Sequence, residues 1–496
     1  TTVNLTYRVG SRHENYGETG MAHLLEHLIF KGTPTTQNAL AEMARRGLRA
    51  NGSTGFDRTN YFASFSANED NLRWYLGWLA DSMVNSFIAK KDLDSEMTVV
   101  RNEFEMGENN PGRVLLQKTM GTMYQWHNYG KTMIGTRSDI ENVDIARLQA
   151  FYRQYYQPDN ATLIVSGRFD AAQVLAQVAK DFGAIPKPQR VLQPTYTLEP
   201  VQDGERQVTL RRIGGTPSIY MSFHMPAGPS PEFAAVEMIA SVLGDTPGGR
   251  LHKRLVERQL AAQAFGFAWD LAEPGLLLLG AGLAPGQDVT AARAAMAAAI
   301  DSLVTEPVTA EELERARTQW LNSWDEGFAD PERVGVALSE AIGMGDWRLF
   351  FLRRDQVRQL TLADVQRVAG AWLGTDNRTV GLYLPTAQPE RAPAPTRVDV
   401  AAQVKDYRGD ATAAVAETFD ATPANLDART QLSRVGGLQV ALLPKGTRGQ
   451  AVQARLRLHY GDVDSLKGQQ TVAALAASLV EKGGAGMSRQ QVADAF

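Results

Sequence analysis

The sequence predicts an α+β protein with two domains of similar size, followed by the beginning of a third. Strand patterns and helix patterns occur in groups, and the same succession of groups starts again near residue 196. The chain has 496 residues, whereas single hydrophobic cores stop growing at roughly 250–300 residues. We therefore place one domain at residues 1–195, a second at 196–385, and the start of a third at 431–496.

The elements of the first domain follow from the spacing of apolar residues. Strands show alternating apolar positions and helices show a repeat near 3.6 residues. The predicted strands are residues 3–9, 49–53, 59–65 and 161–165. The predicted helices are residues 19–30, 72–87, 91–108 and 148–156. Because a strand pattern starts at once, we expect the chain to begin inside a domain, with a first strand and any leader upstream.

The second domain repeats this mixture of strands and helices. The predicted strands are residues 207–212 and 218–223, and the predicted helices are residues 232–243, 251–258 and 309–324. Thr309 and Glu312 form a capping box, which marks the start of the last helix. Residues 386–430 are rich in Pro, Ala, Asp and Thr without sustained periodicity, which predicts a linker.

An internal repeat begins after this linker. Residues 453–468 (QARLRLHYGDVDSLKG) resemble residues 2–17 (TVNLTYRVGSRHENYG). In this register Ala474, Ala477 and Ser478 stand where the first copy has His23, Glu26 and His27. The second copy keeps the apolar pattern of the first but lacks the histidines and the glutamate. We expect it to continue beyond residue 496.

Composition excludes several classes of function. The net charge of -4 gives no basic field, so a nucleic-acid partner is not expected. The longest apolar runs fall short of the roughly 20 residues that span a bilayer, so membrane insertion is not expected either. The chain has no cysteine, so a metal would be bound by histidine and carboxylate.

The segment His23-Leu24-Leu25-Glu26-His27 carries the strongest chemical signal. On a helix, His23 and His27 share a face, so both imidazoles can bind one metal ion. Glu26 lies beside them and can accept a proton from water without binding the metal. The alternative is a surface pair of histidines, which is less expected in a chain with only 7 histidines.

A third ligand is expected from the helix at residues 91–108. Glu96 and Glu103 are seven residues apart and therefore share a face. We predict that Glu103 binds the metal and that Glu96 hydrogen-bonds the outer nitrogen of a ligand histidine. Glu105 and Glu108 are rival candidates on other faces, and solvated helix charge is the ordinary alternative for all four residues.

These motifs resemble the pitrilysin/insulysin family of inverted zinc peptidases, the inverzincins, which includes the mitochondrial processing peptidases. The H-x-x-E-H helix is followed 76 positions after His27 by Glu103. The resemblance covers nearly all of residues 1–385. It extends through Gly10-Ser11 with Glu14, Gly20-Met21-Ala22, Phe30-Lys31-Gly32-Thr33, Asn51-Gly52-Ser53-Thr54, His127-Asn128-Tyr129-Gly130, Ile134-Gly135-Thr136 and residues 156–167.

The resemblance implies a fold and a mode of action. Two similar α/β-sandwich domains would form one half of a clamshell, and a second half, fused downstream or supplied as a separate subunit, would close on it. One zinc ion per chain and a peptide or unfolded-protein substrate are implied. Asn51 and Gly52 match the edge strand that binds the substrate backbone, where the family usually has Ala in the second position.

One part of the chain departs from the family pattern. Arg250 and Leu251 resemble an Arg-Leu helix, but Gln263 stands where an aromatic residue is expected. In fused members the Arg/Tyr pair that holds substrate comes from the other half. We therefore assign no role to Arg250 or His252 and expect both on a helix surface.

The sequence thus predicts a zinc-dependent endopeptidase. The main alternative is a non-catalytic or partner-dependent subunit of a processing-peptidase-like complex, and another is a zinc hydrolase of a different class that has converged on the same helix. A periplasmic or exported location suits an Ala-rich, cysteine-free chain that resembles bacterial fused members, with the cytoplasm as the alternative.

Overall fold

The computed structural model describes residues 1–409 and 415–495. The chain divides into two compact units, Thr1–Arg391 and Ala392–Phe496. Residues 410–414, which belong to the predicted linker, lie outside the described residues, as does residue 496 of the predicted third domain.

The first sheet has four antiparallel strands. They are β1 (Thr2–Tyr7), β2 (Arg49–Thr54), β3 (Thr59–Ser64) and β4 (Ala161–Ser166). Their order is β2-β3-β1-β4, so the first strand is central and β2 is an edge. The β2–β3 hairpin pairs Gly52 with Tyr61.

The second sheet has five strands. They are β5 (Arg206–Arg212), β6 (Ser218–Ala227), β7 (Gln263–Trp269), β8 (Pro274–Gly282) and β9 (Arg378–Pro385). Their order is β5-β9-β6-β8-β7, and only the β5–β9 pair is parallel. Read from its other edge, β7-β8-β6-β9 repeats the order β2-β3-β1-β4, with β5 added. The α+β prediction is confirmed, while the boundary between residues 195 and 196 stays a prediction.

Helices surround both sheets. Those of the first unit are α1 (Met21–Ile29), α2 (Ala39–Arg45), α3 (Glu69–Asn85), α4 (Lys90–Glu108), α5 (Pro111–Met123), α6 (Arg137–Glu141), α7 (Ile145–Tyr155), α8 (Ala171–Asp181), α9 (Phe233–Gly244), α10 (Val289–Thr305), α11 (Ala310–Ala329), α12 (Pro331–Gly343), α13 (Leu349–Gln359) and α14 (Leu362–Trp372). The capping box predicted at Thr309 and Glu312 starts α11. Separate apolar cores lie against the two sheets, and an aromatic cluster that includes Phe56 and Tyr129 joins them.

Helix α12 packs against the first sheet although it follows the second sheet's hairpin in the chain. The contact is polar and buried. Asn4 Nδ2 donates to the carbonyl oxygen of Gly335 at 2.8 Å and to Oγ of Ser339 at 2.7 Å. Asn60 Nδ2 donates to Oδ1 of Asn4 at 2.9 Å, and the hydroxyl groups of Thr6 and Ser339 are 2.9 Å apart. Every polar group in this contact thus has a partner, as burial requires.

The expectation that Arg250 lies on a helix surface is wrong. Arg250 is only 7% exposed. Its Nε and Nη2 atoms donate to Glu312 at 2.8 and 2.7 Å, and Nη1 donates to the carbonyl oxygen of Glu306 at 2.7 Å. A planar guanidinium satisfies a carboxylate and a helix end together, so this side chain is structural. Residues 252–256 form a π-helical turn instead of the predicted longer helix, and His252 is half-buried.

The second unit contains a hairpin and short helices. Strands β10 (Gln431–Val435) and β11 (Leu438–Leu442) pair in antiparallel fashion, and the helices are α15 (Val400–Val404), α16 (Pro423–Arg429), α17 (Gln470–Leu479) and α18 (Arg489–Ala495). In the register of the repeat, α17 corresponds to α1. Residues 451–460, the counterpart of β1, form no strand. Strand β1 is held by β3 and β4, whereas residues 451–460 pair with no strand among the described residues.

Candidate metal centre

The start of α1 is fixed by a buried carboxylate. Glu14 accepts hydrogen bonds from the backbone N–H groups of Gly20 and Ala22, both at 2.9 Å. Burial raises the pKa of Glu14 to about 8, although these two donors act in the opposite direction. Gly20 has φ of 93°, a conformation that glycine adopts without strain. His23 therefore lies one turn into a helix whose first residues are held in place.

The pattern of α1 separates its core side chains from its polar ones. The apolar side chains Leu24, Leu25, Leu28 and Ile29 are at most 1% exposed. His23, Glu26 and His27 are each half-buried on the remaining face. An apolar stripe at helical spacing thus forces all three polar residues toward one side.

Helix α4 packs against α1 and brings Glu103 to the two imidazoles. The Nε2 atoms of His23 and His27 are 3.2 Å apart. Oε2 of Glu103 lies 3.5 Å from Nε2 of His23 and 3.6 Å from Nε2 of His27. Within residues 1–409 and 415–495, this is the only group of three or more His, Asp or Glu side chains whose donor atoms all lie within 4.8 Å of one another.

The donor set fits a zinc ion. Tetrahedral zinc with ligand bonds of about 2.0–2.1 Å holds its donor atoms about 3.3 Å apart, and two histidines with one carboxylate are a known catalytic ligand set. Burial lowers the pKa of His23 to about 4, with a further contribution from the nearby His27. A neutral imidazole presents the lone pair that a metal ion requires.

Glu96 contacts the ring nitrogen of His27 that faces away from His23 and Glu103. Its Oε1 atom is 2.9 Å from Nδ1 of His27, and its other oxygen pairs with the ammonium group of Lys31. Burial alone would raise the pKa of Glu96, but the hydrogen bonds from Lys31 and His27 hold it below its ordinary value. In contrast, Nδ1 of His23 is buried without a partner among the described residues.

The rival carboxylates of α4 lie outside this cluster. Glu105 is exposed, and Glu108 pairs with Nη2 of Arg212 at 3.1 Å. The seven-residue spacing from Glu96 to Glu103 thus selects the two carboxylates that reach the histidines.

Glu26 packs against the edge strand β2. Its Oε2 atom accepts a hydrogen bond from the hydroxyl group of Thr54 at 2.6 Å. A Cβ atom placed on Gly52 would lie 3.0 Å from both Cγ and Oε1 of Glu26. Burial raises the pKa of Glu26, while the Thr54 hydroxyl and the charges of His27 and Arg58 lower it. A carboxylate with a raised pKa is suited to accept and release a proton near neutral pH.

The two residues predicted to bind substrate lie on this same strand. Asn51 is exposed, and its Oδ1 atom accepts a hydrogen bond from the backbone N–H of Gly52 at 3.0 Å. Among the described residues, β2 pairs only with β3, so its outer edge is available to a further strand.

A cavity of about 590 Å³ opens beside the cluster. Thr54, His23 and Glu103 are among its lining residues. Its remaining wall is mainly apolar and aromatic and includes Phe56, Phe104, Leu116, Met120, Met133 and Trp269. This volume lies within the range of ordinary ligand pockets, about 300–1,000 Å³.

Two residues at the site were given no role from the sequence, Thr54 and Lys31. Both lie inside motifs that carry the resemblance to the family. Thr54 could have been found from strand periodicity, since residues 52 and 54 of one strand share a face. For Lys31 no comparable spacing rule connects it to Glu96, 65 positions later in the sequence.

None of the described helices combines the length and the apolar character that a bilayer span requires.

Known proteins resemble the chain over most of its length. The family described as "Insulinase (Peptidase family M16)" matches residues 1–137, and "Peptidase M16 inactive domain" matches residues 142–320. The zinc protease PqqE of Helicobacter pylori is 28% identical over 388 residues, covering 77% of this chain and 87% of that protein. An uncharacterized zinc protease of Mycobacterium bovis is 25% identical over 373 residues, covering 74% and 84%.

Solved structures also resemble the chain over most of its length. A protease from Helicobacter pylori has a TM-score of 0.73 at 28% identity, covering 77% of this chain and 94% of that one. The first half of the periplasmic protease PqqL from Escherichia coli has a TM-score of 0.64 at 18% identity, covering 77% and 86%, which is a likeness of fold. The two family matches together span more than half of the sequence and include His23, His27 and Glu103. The chain therefore belongs to the insulinase family of peptidases, family M16.

Proposed function

We propose that this chain is a zinc-dependent endopeptidase that hydrolyses peptides or small unfolded proteins. The observation that carries the proposal is the convergence of His23, His27 and Glu103 at separations of 3.2–3.6 Å. The names of the M16 relatives, several of them called zinc proteases, support the same activity.

In the proposed reaction His23, His27 and Glu103 hold one zinc ion, and Glu26 acts as general base. A bound zinc ion would supply Lewis-acid polarisation of the scissile carbonyl and a lowered pKa for water. Glu26 accepts a proton from the attacking water and later delivers it to the leaving amine. Glu96 fixes the orientation of the His27 ring through Nδ1.

The substrate is proposed to add a strand to the free edge of β2. Asn51 and Gly52 would contact its backbone, which gives affinity with little demand on sequence. The neighbouring cavity would accept apolar side chains next to the scissile bond. A second clamshell half, fused downstream or separate, is proposed to cover the bound peptide.

A Glu26→Gln variant tests the assignment of the base. The purified chain and the variant are compared for zinc content by elemental analysis and for cleavage of an unfolded polypeptide. We expect equal zinc, because Gln is nearly isosteric and Glu26 is not a ligand, and a loss of cleavage of about 100-fold or more. Glu105→Gln, on the exposed side of α4, is the control and should cleave at the wild-type rate. Wild-type turnover by Glu26→Gln would refute the role of Glu26.

The alternative function is a non-catalytic or partner-dependent subunit. A wild-type chain that binds zinc yet cleaves no unfolded polypeptide would favour this alternative. Cleavage that begins only when a separately produced second half is added would identify partner dependence, whereas cleavage by the chain alone would exclude it.

We also propose a periplasmic or exported location, with the cytoplasm as the alternative. The proposal rests on the composition of the chain and on its resemblance to bacterial members with fused halves. Fractionation of the cells that produce the protein would decide between the two compartments.

A further inference from the structure

The carboxylate of Glu26 is held by two residues of β2 that share a face. Thr54 donates its hydroxyl hydrogen to Oε2 at 2.6 Å. Gly52, two residues earlier, leaves the space that Cγ and Oε1 occupy, since a Cβ atom there would lie only 3.0 Å from each. Oε2 of the carboxylate is therefore hydrogen-bonded to the strand, and Cγ and Oε1 pack against it at Gly52.

The end of β2 that carries Thr54 is itself anchored. Nη1 of Arg58 donates to the carbonyl oxygen of Ser53 at 2.9 Å and to Oδ1 of Asn60 at 3.0 Å. The other side of the same guanidinium pairs with Glu340 of α12, with Nε to Oε1 at 3.0 Å. A guanidinium bound on both sides has little rotamer freedom, so Ser53, the neighbour of Thr54, is held in a fixed place relative to α12.

We propose that Thr54 is a positioning residue for the general base. Its hydroxyl keeps Oε2 occupied and leaves Oε1 to accept the proton from water. Hydrogen bonds to an ionised acceptor are shorter and stronger than neutral ones, so this contact selects one orientation of the carboxylate. The inference rests on the proposed role of Glu26 in catalysis.

The strand that orients the base is also the strand proposed to pair with the substrate. Thr54 contacts Glu26 through its side chain, whereas pairing with a substrate would use the backbone of the same strand. Loss of the hydroxyl should therefore reduce turnover much more than substrate binding, because the backbone contacts of β2 with the substrate are unchanged.

The test compares Thr54→Val with Thr54→Ser in the full chain loaded with zinc. Valine has nearly the shape of threonine but lacks the donor, and serine keeps the donor. For Thr54→Val we expect kcat on an unfolded polypeptide to fall about ten-fold or more, with KM changed by less than about two-fold. Thr54→Ser should recover kcat to within about three-fold of wild type. Zinc content and the thermal unfolding midpoint are measured for each variant.

Each outcome decides the inference. If Thr54→Val keeps the wild-type kcat while Glu26→Gln is inactive, Glu26 is the base and Thr54 does not position it. If Thr54→Val loses zinc or unfolds at a much lower temperature, and Thr54→Ser behaves in the same way, the role of the side chain is structural and the inference fails. A wild-type chain that cleaves nothing, even after a separately produced second half is added, would overturn the proposed function and the positioning role together.

Discussion

Oε1 of Glu96 lies 2.9 Å from Nδ1 of His27, on the opposite side of the ring from the nitrogen that faces His23 and Glu103. A carboxylate at this position accepts a hydrogen bond from the Nδ1–H group, so the proton stays on Nδ1 and the lone pair is left on Nε2. The ring is thereby oriented and its tautomer fixed before any metal ion binds.

We expect Glu96→Gln to weaken zinc binding by about 10–100-fold, the usual cost of losing such a partner. The amide removes the negative charge that favours the Nδ1 proton and leaves Lys31 without its ion pair. Competition with a chelator measures the affinity, and Glu105→Gln serves as the control from the same helix. Equal affinity in Glu96→Gln and wild type would contradict the predicted role of Glu96.

Although the family usually has Ala at this position, Gly52→Ala should lower kcat several-fold in this chain, where Glu26 packs against the bare glycine, while zinc content stays constant. The added Cβ atom would lie 3.0 Å from Oε1 of Glu26, closer than an ordinary contact, so the carboxylate must move. Steady-state kinetics and elemental analysis provide the measurement. Gly55→Ala, in the turn after β2, is the matched control because its Cβ atom would meet its nearest neighbour at 3.7 Å. An unchanged kcat in Gly52→Ala would mean that Glu26 tolerates the shift.

Trp269→Leu should raise KM for peptides with bulky apolar side chains by roughly ten-fold and change kcat less. Trp269 lines the cavity beside His23 and Glu103 and packs on Phe56, with ring centroids 5.2 Å apart. Kinetics on a peptide series that differs only in the size of one apolar residue would measure the effect. Trp126→Leu is a control, since Trp126 is 70% exposed. If KM rises equally for small and bulky peptides, the cavity does not select side chains.

Glu237 and Asp270 should make stability depend on pH. Burial raises the pKa of Glu237 to about 7 and that of Asp270 to about 6, while the charge of Arg353 acts against both shifts. The pKa of each of these carboxyl groups is higher in the folded state than in the unfolded state. Their contribution to the free energy of unfolding is therefore fully present below the unfolded-state pKa, near pH 4. It is lost as the pH rises through about 6–7.

Glu237→Gln tests this dependence, because the amide stays neutral at every pH. When the pH is raised from 5 to 8, the free energy of unfolding of the variant minus that of wild type should increase by about 2 kcal/mol. Thermal unfolding midpoints of both metal-free proteins at the two pH values give the comparison. Glu326→Gln, on the exposed face of α11, should show no such pH-dependent difference. A constant offset between Glu237→Gln and wild type would argue against the raised pKa.

The fold class and the cluster of donors were accessible from the sequence because both follow from local periodicity. The spacing of His23 and His27 and the seven-residue spacing of Glu96 and Glu103 each define one face of one helix. The meeting of the two helices was inferred from the need of zinc for a third ligand. The structure brings the three predicted ligand side chains together, while their function in catalysis stays a prediction.

Long-range partners account for what the sequence did not reveal. Arg250 looks like a surface residue in its own segment, but Glu312, 62 positions later, buries it. Residues 453–460 have the same alternating pattern as β1 and form no strand, because a strand forms only where neighbours accept its backbone hydrogen bonds. Pattern alone specifies which elements are favoured and leaves their partners open.

The contact between α12 and the first sheet limits how this chain can be divided. Asn4 and Ser339 are 335 positions apart, and both are buried. A fragment that ends near residue 195 would expose Asn4, Thr6 and Asn60 on a bare sheet face, and Asn4 and Thr6 would lose their partners from α12. The sheet whose strand β2 contacts the histidine helix α1 therefore depends on residues synthesised much later, and a fragment that keeps this contact has to extend at least through Gly343, the end of α12.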